Sequence, residues 1–352
     1  MPVNPNFLER LLLLRLNKGP TPILDLFGAA SFEAVNLALE MGVFEELMEE
    51  DLSIGELVNR LNANKNGVQM LLNFLDAQGY VATDGDRYWN TRMTAKWLTT
   101  ASETNMAPWL TFWNELVFPF WDDYLETAVR EGNPPQTIYE WFNEEPKRWE
   151  TAQQGFRAAA SIIVEEVVDA INLPDGATRM LDVGGGHGLY TIELCRNYSN
   201  LSAIVFDYPE ALEVARTEIG EAGVENRVEV AGGDYWNDDL GSDYDVAFVF
   251  NIIHAHDSEE NSRLFKRVSE ALKPGGQIAV LDQLEGSART PVGKAGIGFV
   301  GLTYLTTLGA ELHSYDDVRE WLDTAEFENI RRSSIRRGGP GNTLVQATKS
   351  GG

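Results

Sequence analysis

Residues 180–188, Met-Leu-Asp-Val-Gly-Gly-Gly-His-Gly, constrain the fold of this chain more than any other stretch. An apolar run ends in glycines at 184, 185, 186 and 188, and Thr191-Ile192-Glu193-Leu194-Cys195 continues with helical character. A buried strand that turns this sharply into a helix needs residues without a Cβ, and the same bareness lets a ligand approach the turn backbone. The spacing departs from the dinucleotide fingerprint, because the third glycine of G-x-G-x-x-G would fall at 189, which is Leu189. G-x-G-x-G behind an acidic residue instead suits a nucleoside that carries an amino-acid tail and no pyrophosphate.

From about residue 175 the pattern alternates between strands and helices. The strand candidates are Arg179–Val183, Ala203–Asp207, Val228–Ala231, Asp245–Asn251 and Gln277–Asp282, with Lys273-Pro274-Gly275-Gly276 as the turn into the fifth. This alternation predicts an α/β fold, a Rossmann-like doubly wound parallel sheet that binds ligands at its strand C-terminal ends. Ile330–Ile335 and Thr343–Thr348 read as a closing hairpin around Gly338-Gly339-Pro340-Gly341, and Ser350-Gly351-Gly352 as a frayed end. The first hundred residues read differently, as an all-helical, winged-helix domain. Ala30–Met41 and Val43–Glu49 have helical spacing with Gly42 as a joint. Ser53 and Glu56 form a capping box for the next helix, and Val68, Leu71, Leu72 and Leu75 share one face of a second helix that stops at Gly79. Tyr80-Val81-Ala82, Asp84-Gly85-Asp86 and Arg87-Tyr88-Trp89 then read as strand, turn, strand. Between the two parts lies a helical stretch rich in aromatic residues, among them Trp109, Phe112, Trp113, Phe118, Phe120, Trp121, Trp141, Phe142, Trp149 and Phe156. Most of these belong in a core, and their density beside a ligand-binding domain points to a flat apolar pocket. The reading thus divides the chain at 1–100, 101–170 and 171–352.

With 352 residues the chain is long enough for two domains and a substantial core. It carries 28 Lys and Arg against 54 Asp and Glu, a formal net charge of -26, and only eight of the basic residues are lysine. Such a surface repels phosphate backbones and anionic lipid, so neither nucleic acid nor membrane is expected as a partner. It also resembles adaptation to high salt. Cys195 is the only cysteine, which excludes an internal disulfide, points to a cytoplasmic setting and suits a small buried apolar residue. The apolar run Leu11–Leu14, between Arg10 and Arg15, is too short for a signal or membrane segment and reads as part of an amphipathic helix.

The obvious nucleoside with an amino-acid tail is S-adenosylmethionine, and the chemistry-bearing residues are placed to hold it. Gly184, Gly185 and Gly186 form the turn, and Asp182 orients it or reaches the ligand's ammonium group. Asp207 ends the second strand, where a carboxylate accepts from both ribose hydroxyls; its alternative role is to cap a helix over Pro209–Ala215. Asp234 is placed for the adenine amine and Tyr235 for the purine face, unless both sit in an ordinary polar loop; Tyr208, next to Asp207, and Asn251, at the end of the fourth strand, complete the set. His254 lies just past the fourth strand at the switch point. An imidazole with a pKa near 6.5 is a suitable base for a phenol whose own pKa is about 10. Asp282 and Glu311 are the candidates to orient that ring, unless each is simply a loop acid on a very acidic protein; His313 reads as a solvated loop residue or a substrate contact, and His256 as a packing residue. His254-Ala255-His256-Asp257 has a metal-like look but nothing nearby completes a ligand set, so no metal is expected.

Leu181–Gly188, Asp207, Gly233-Asp234-Tyr235, Ile252-Ile253-His254 and Leu272-Lys273-Pro274-Gly275-Gly276 together resemble the ordered motifs of class I S-adenosylmethionine-dependent methyltransferases. With the winged-helix front, roughly residues 20–349 resemble the small-molecule O-methyltransferases that include caffeic acid and hydroxyindole O-methyltransferases and many bacterial polyketide enzymes. The resemblance implies an N-terminal domain that dimerises, rather than binding DNA, and helps wall the partner's substrate pocket. It further implies a histidine base at His254 and methyl transfer to a hydroxyl of a small, usually aromatic acceptor, with S-adenosylhomocysteine as product. Plant members follow their histidine with Asp-Trp, where this chain has Ala255-His256 and so stands closer to bacterial members. Relatives that methylate carbon, or bind the cofactor and perform other chemistry, form one alternative. A cofactor-sensing winged-helix regulator forms another. The segment Asn62–Gly67 that opens its recognition helix offers one lysine and no arginine, too little charge for phosphate contact.

Overall fold

A computed structural model of the chain describes residues 5–286, 288, 290–339 and 341–351. Two compact units emerge, one ending at Asn114 and the other starting at Glu115, so the helical stretch 101–170 is divided between them.

The N-terminal unit is built on helices Ile23–Glu40 and Val43–Glu49, joined at Gly42, whose φ of 75° is open to glycine at little cost. β1 (Leu52–Ser53) leads into helix Ile54–Arg60, where Ser53 and Glu56 cap each other as the capping box predicts. Helix Lys65–Ala77 follows, capped by Asn64, with Val68, Leu72 and Leu75 buried and Leu71 half-buried. β2 (Val81–Thr83) and β3 (Arg87–Asn90) form the wing. The sheet order is β1-β3-β2, so the wing has a third strand, two residues long, that periodicity cannot reveal. The run Leu11–Leu14 does not form an amphipathic helix with a buried face. It belongs to a widened, π-helical turn over Leu11–Arg15, with Leu12 44% and Leu14 58% exposed.

The second unit carries a seven-stranded sheet of order β6-β5-β4-β7-β8-β10-β9. Its strands are β4 (Arg179–Val183), β5 (Ser202–Asp207), β6 (Val228–Gly232), β7 (Tyr244–Phe250), β8 (Leu272–Gln283), β9 (Phe327–Ser334) and β10 (Asn342–Lys349). β4 to β8 are parallel, and β10 is antiparallel to both β8 and β9, so the closing hairpin makes the sheet mixed. Pro340, at the expected hairpin turn, and Gly352, at the expected frayed end, lie outside the described residues. Lys273-Pro274-Gly275-Gly276 is not a turn before the strand. It forms a bulge within β8, which pairs Leu272 with Tyr244 and next Gln277 with Val246. Lys273 Nζ meets Asp245 Oδ1 at 2.6 Å across it.

Both faces of the sheet are covered, so the central strands are apolar at nearly every position. In β7, Val246, Phe248 and Phe250 pack into one core and Ala247 and Val249 into the other. Cys195, on helix Leu189–Asn197, is buried in the first of these cores, as its small apolar character implies. Each fully buried Leu, Ile or Phe contributes about 1.5–3 kcal/mol, which fixes the strand ends at which the polar residues gather. The chain reverses its winding direction between β4 and β7, and the carboxyl ends of those two strands flank a crevice. Among the described residues no single helix is long and apolar enough to cross a membrane.

Candidate active site

β4 ends at Val183, and the chain then turns through Gly184, Gly186 and Gly188 at φ of 65°, 46° and 69°. A Cβ at Gly184 would stand 2.2 Å from Ile252 Cδ1, and one at Gly186 would stand 2.5 Å from Gln153 Oε1. Gly185 rests on its own strand instead, since a Cβ there would lie 2.7 Å from Asp182 Cγ. Asp182 accepts from Thr191 Oγ1 at 2.5 Å, which ties strand to helix beneath the turn and fits the orienting role. Burial pushes its carboxyl up to about 7. His187 accepts from the Leu189 N–H at 3.1 Å, and burial lowers its ring to about 3, so it is a neutral acceptor at the helix start.

Asp207 closes β5 beside this turn, as its strand-end position predicts. Its two oxygens accept from the backbone N–H of Gly186 at 2.8 Å and of Tyr208 at 2.7 Å. A carboxylate has about four acceptor positions, so two remain for a ligand's hydroxyls. Burial raises its pKa to about 6. Tyr208 and Tyr235 bring their rings to 6.5 Å of each other, and Trp149 lies 6.4 Å from Tyr208 on the other side. The Tyr235 hydroxyl is bonded to His256 Nε2 at 2.7 Å. Asp234 holds its own loop: Oδ1 accepts from Trp236 N at 2.9 Å and Oδ2 from Asn237 Nδ2 at 2.6 Å. Asn251, at φ 54° just past β7, donates its N–H to Leu281 O at 2.7 Å.

The residues around the turn fit an S-adenosyl group. The bare Gly186, the two open acceptor positions of Asp207 and the aromatic rings offer a place each for tail, ribose and base. Gln153 adds a buried Oε1 with no hydrogen-bond partner, aimed at Gly186. A cavity of about 320 Å³ beside it is lined by Trp149, Gln153, Glu210 and Ala211 among others. An orphaned acceptor in such a place is costly unless a ligand donates to it.

His254 lies on the short 3-10 turn Ile253–Ala255 and is buried. Its Nδ1 stands 2.9 and 3.0 Å from the two oxygens of Asp282, at the end of β8. A carboxylate only accepts, so Nδ1 carries the proton and Nε2 the lone pair. Among the described residues Nε2 has no hydrogen-bond partner. Ile252, two residues earlier, packs its side chain against Gly184.

Glu311, the other candidate for orienting the ring, is exposed in the loop before helix Tyr315–Thr324. No described contact joins it to His254, whose Nδ1 is already occupied. His313 is not a solvated loop residue. Its Nε2 lies 3.0 and 2.8 Å from the carbonyl oxygens of Ile253 and His256, and its ring meets Trp321 edge-on, so it pins the turn that carries His254. His256 packs against Trp236 at 4.8 Å, and burial lowers it to about 4. Among the described residues no group of three or more His, Cys, Asp or Glu side chains is arranged to hold a metal.

Three residues near the site carry no sequence signal. Gln153 is one polar residue on a helix; Tyr304 and Gln283 reach the site only through tertiary packing.

A family model described as an O-methyltransferase domain matches residues 123–321, and one described as an O-methyltransferase dimerisation domain matches residues 25–100. The 3-hydroxy-5-methyl-1-naphthoate 3-O-methyltransferase of Streptomyces sahachiroi is 26% identical over 94% of this chain and 96% of its own length. The L-tyrosine C(3)-methyltransferase of Streptomyces lavendulae is 23% identical over 92% and 91%. The crystal structure of human N-acetylserotonin methyltransferase in complex with S-adenosylmethionine aligns with a TM-score of 0.81 at 22% identity, over 99% of this chain and 100% of that one.

Proposed function

The chain belongs to the O-methyltransferase family, whose domain model spans more than half its residues, and from that premise we propose that it methylates a hydroxyl of a small aromatic acceptor with His254 as general base. It is an S-adenosylmethionine-dependent methyltransferase, and S-adenosylhomocysteine is the product. The observation that carries the reading is the Asp282–His254 pair at the carboxyl ends of β7 and β8, with Nε2 unpartnered among the described residues.

When bound, the cofactor supplies a methyl group already activated on a sulfonium. Asp207 and Gln153 would accept from its hydroxyl or ammonium donors, Gly184 and Gly186 would admit it to the turn, and Tyr208 and Tyr235 would hold its adenine; Asp234 and Asn251 shape the surrounding loops. Asp182 supports the turn from behind. The remaining task is to unmask the acceptor. Asp282 holds the Nδ1–H, so Nε2 takes the hydroxyl proton as the oxygen attacks, and the same carboxylate stabilises the imidazolium that forms. Alignment of acceptor and donor within a dry site supplies much of the rest.

Support for an aromatic acceptor comes from two sides. Trp121 and Phe299 meet at 6.0 Å with their planes tilted by 55°, and Phe299 and Leu302 stay partly exposed on a strongly apolar helix, Pro291–Leu308, that also carries Tyr304. The relatives named above act, by their names, on a naphthoate, on tyrosine and on N-acetylserotonin. The tyrosine relative favours a second reading, in which the same base ionises a phenol and the ring carbon beside it takes the methyl. A screen of phenolic, indolic and polyketide hydroxyl compounds with ¹³C-methyl-labelled cofactor decides between them. An O–CH₃ product resonance supports the first reading and a C–CH₃ resonance the second. Transfer only to amines would overturn both.

A winged helix that dimerises, a cytoplasmic location and a high-salt habitat complete the reading. The dimerisation-domain match supports the first, and the single cysteine and the acidic surface support the others.

A further inference from the structure

Helix Pro291–Leu308 brings Tyr304 against the base. The phenol ring lies flat on the His254 imidazole, with centroids 4.1 Å apart and planes 6° from parallel. Its hydroxyl donates to Gln283 Oε1. Gln283 in turn donates from Nε2 to Asn342 Oδ1 at 2.9 Å, and Asn342 donates to the Gly338 carbonyl at 2.7 Å. The far end of the phenol ring is therefore tied to the ends of β8 and β10, and the ring cannot slide over the imidazole.

Asp282 alone grips His254 along one edge. A ring held so can still tilt about the Nδ1–carboxylate axis, which would swing the Nε2 lone pair through an arc. A parallel ring at van der Waals distance closes one side of that arc. The lone pair lies in the imidazole plane, so fixing the plane fixes the direction from which a hydroxyl proton can be taken. The phenol face is also the electron-rich face, which favours the imidazolium formed when the proton arrives. Tyr304 is buried, and burial raises its pKa well above the usual value, so it stays a neutral donor to Gln283.

We propose that Tyr304, anchored through Gln283, is a positioning residue that sets the plane of the His254 imidazole for proton abstraction. The proposal rests on the reading of His254 as base, and the test separates the two. Tyr304→Leu removes the ring, Tyr304→Phe keeps it, and Tyr304→Met replaces Leu if the Leu variant does not fold, being apolar and closer in length. Turnover is measured on an acceptor that the wild type methylates, and ¹⁵N-histidine spectra report the tautomer of His254 among the four histidines. The Leu or Met variant should lose about tenfold or more in kcat, with KM for the cofactor within about twofold, and its His254 ring signals should shift and broaden as the ring gains freedom to tilt, while the Nδ1–H tautomer held by Asp282 persists. Phe should stay within about threefold of wild type, because the stacking face survives. If Leu and Met leave kcat and the spectra unchanged while His254→Ala abolishes turnover, the role given to Tyr304 falls alone. If His254→Ala leaves turnover intact, the reading of His254 as base falls, and the proposal with it.

Discussion

Asp207 shows most clearly how one side chain couples folding to ligand binding. Burial holds its carboxyl up to about 6 and that of Asp182 up to about 7, both above their unfolded values. A carboxyl raised on folding takes up protons in the native state, so the empty protein loses stability as pH rises through these values. Ligand binding runs the other way, because ribose hydroxyls donate best to a carboxylate. Calorimetry should therefore find S-adenosylmethionine affinity weakening by about tenfold per pH unit below pH 6 and level above pH 7, and Asp207→Asn should flatten the curve. A wild-type affinity independent of pH would remove Asp207 from the site. Asp207 is legible from its place at a strand end beyond the glycines. His254 and Asp282 are legible for the same reason, since neighbouring parallel strands bring their ends together. Gln153 and Tyr304 are not, because the direction a helical side chain faces is decided by what the helix packs against. Glu311 shows the converse: an acid in a suggestive loop points to solvent when another carboxylate already fills the position.

At the scale of elements, the glycine turn and its neighbouring helices differ in what they tolerate. Gly186→Ala places a Cβ 2.5 Å from Gln153 Oε1 in a φ of 46° that L residues rarely adopt. It should weaken cofactor binding by about tenfold or more and lower the thermal midpoint, at a backbone cost of about 1 kcal/mol. Gly220, inside helix Glu213–Ala222, has nothing within 4 Å of its missing Cβ. Gly220→Ala should raise stability by about 0.5–1 kcal/mol and leave binding alone. Equal effects of the two in thermal melts and calorimetry would show that the turn has no special demand. The parallel strands were readable because their apolar runs end in turn residues. β1 and the bulge at Lys273–Gly276 were not, because a two-residue strand has no period, and Lys-Pro-Gly-Gly specifies a bend without saying whether pairing resumes on the same strand.

The whole molecule combines a net charge of -26 with several exposed large apolar side chains. Phe7 is 79% exposed, Leu8 65% and Leu26 64%, all in the N-terminal unit. Exposed apolar side chains of this size on the N-terminal unit support the proposed association through that unit. The chain of 39.2 kDa should elute as a dimer of twice that mass by light scattering, and Leu26→Asp should shift it toward monomer. A monomeric wild type at micromolar concentration would contradict the assembly proposed here. High salt should stabilise the fold by screening the self-repulsion of so many carboxylates, seen as a rising melting temperature. The proposed chemistry itself depends on one imidazole. Turnover and cofactor affinity of His254→Ala, measured together against an acceptor that the wild type methylates, test it most directly. The prediction is a loss of about two orders of magnitude or more in kcat with the dissociation constant for S-adenosylmethionine within about twofold of wild type; an unchanged kcat would contradict it.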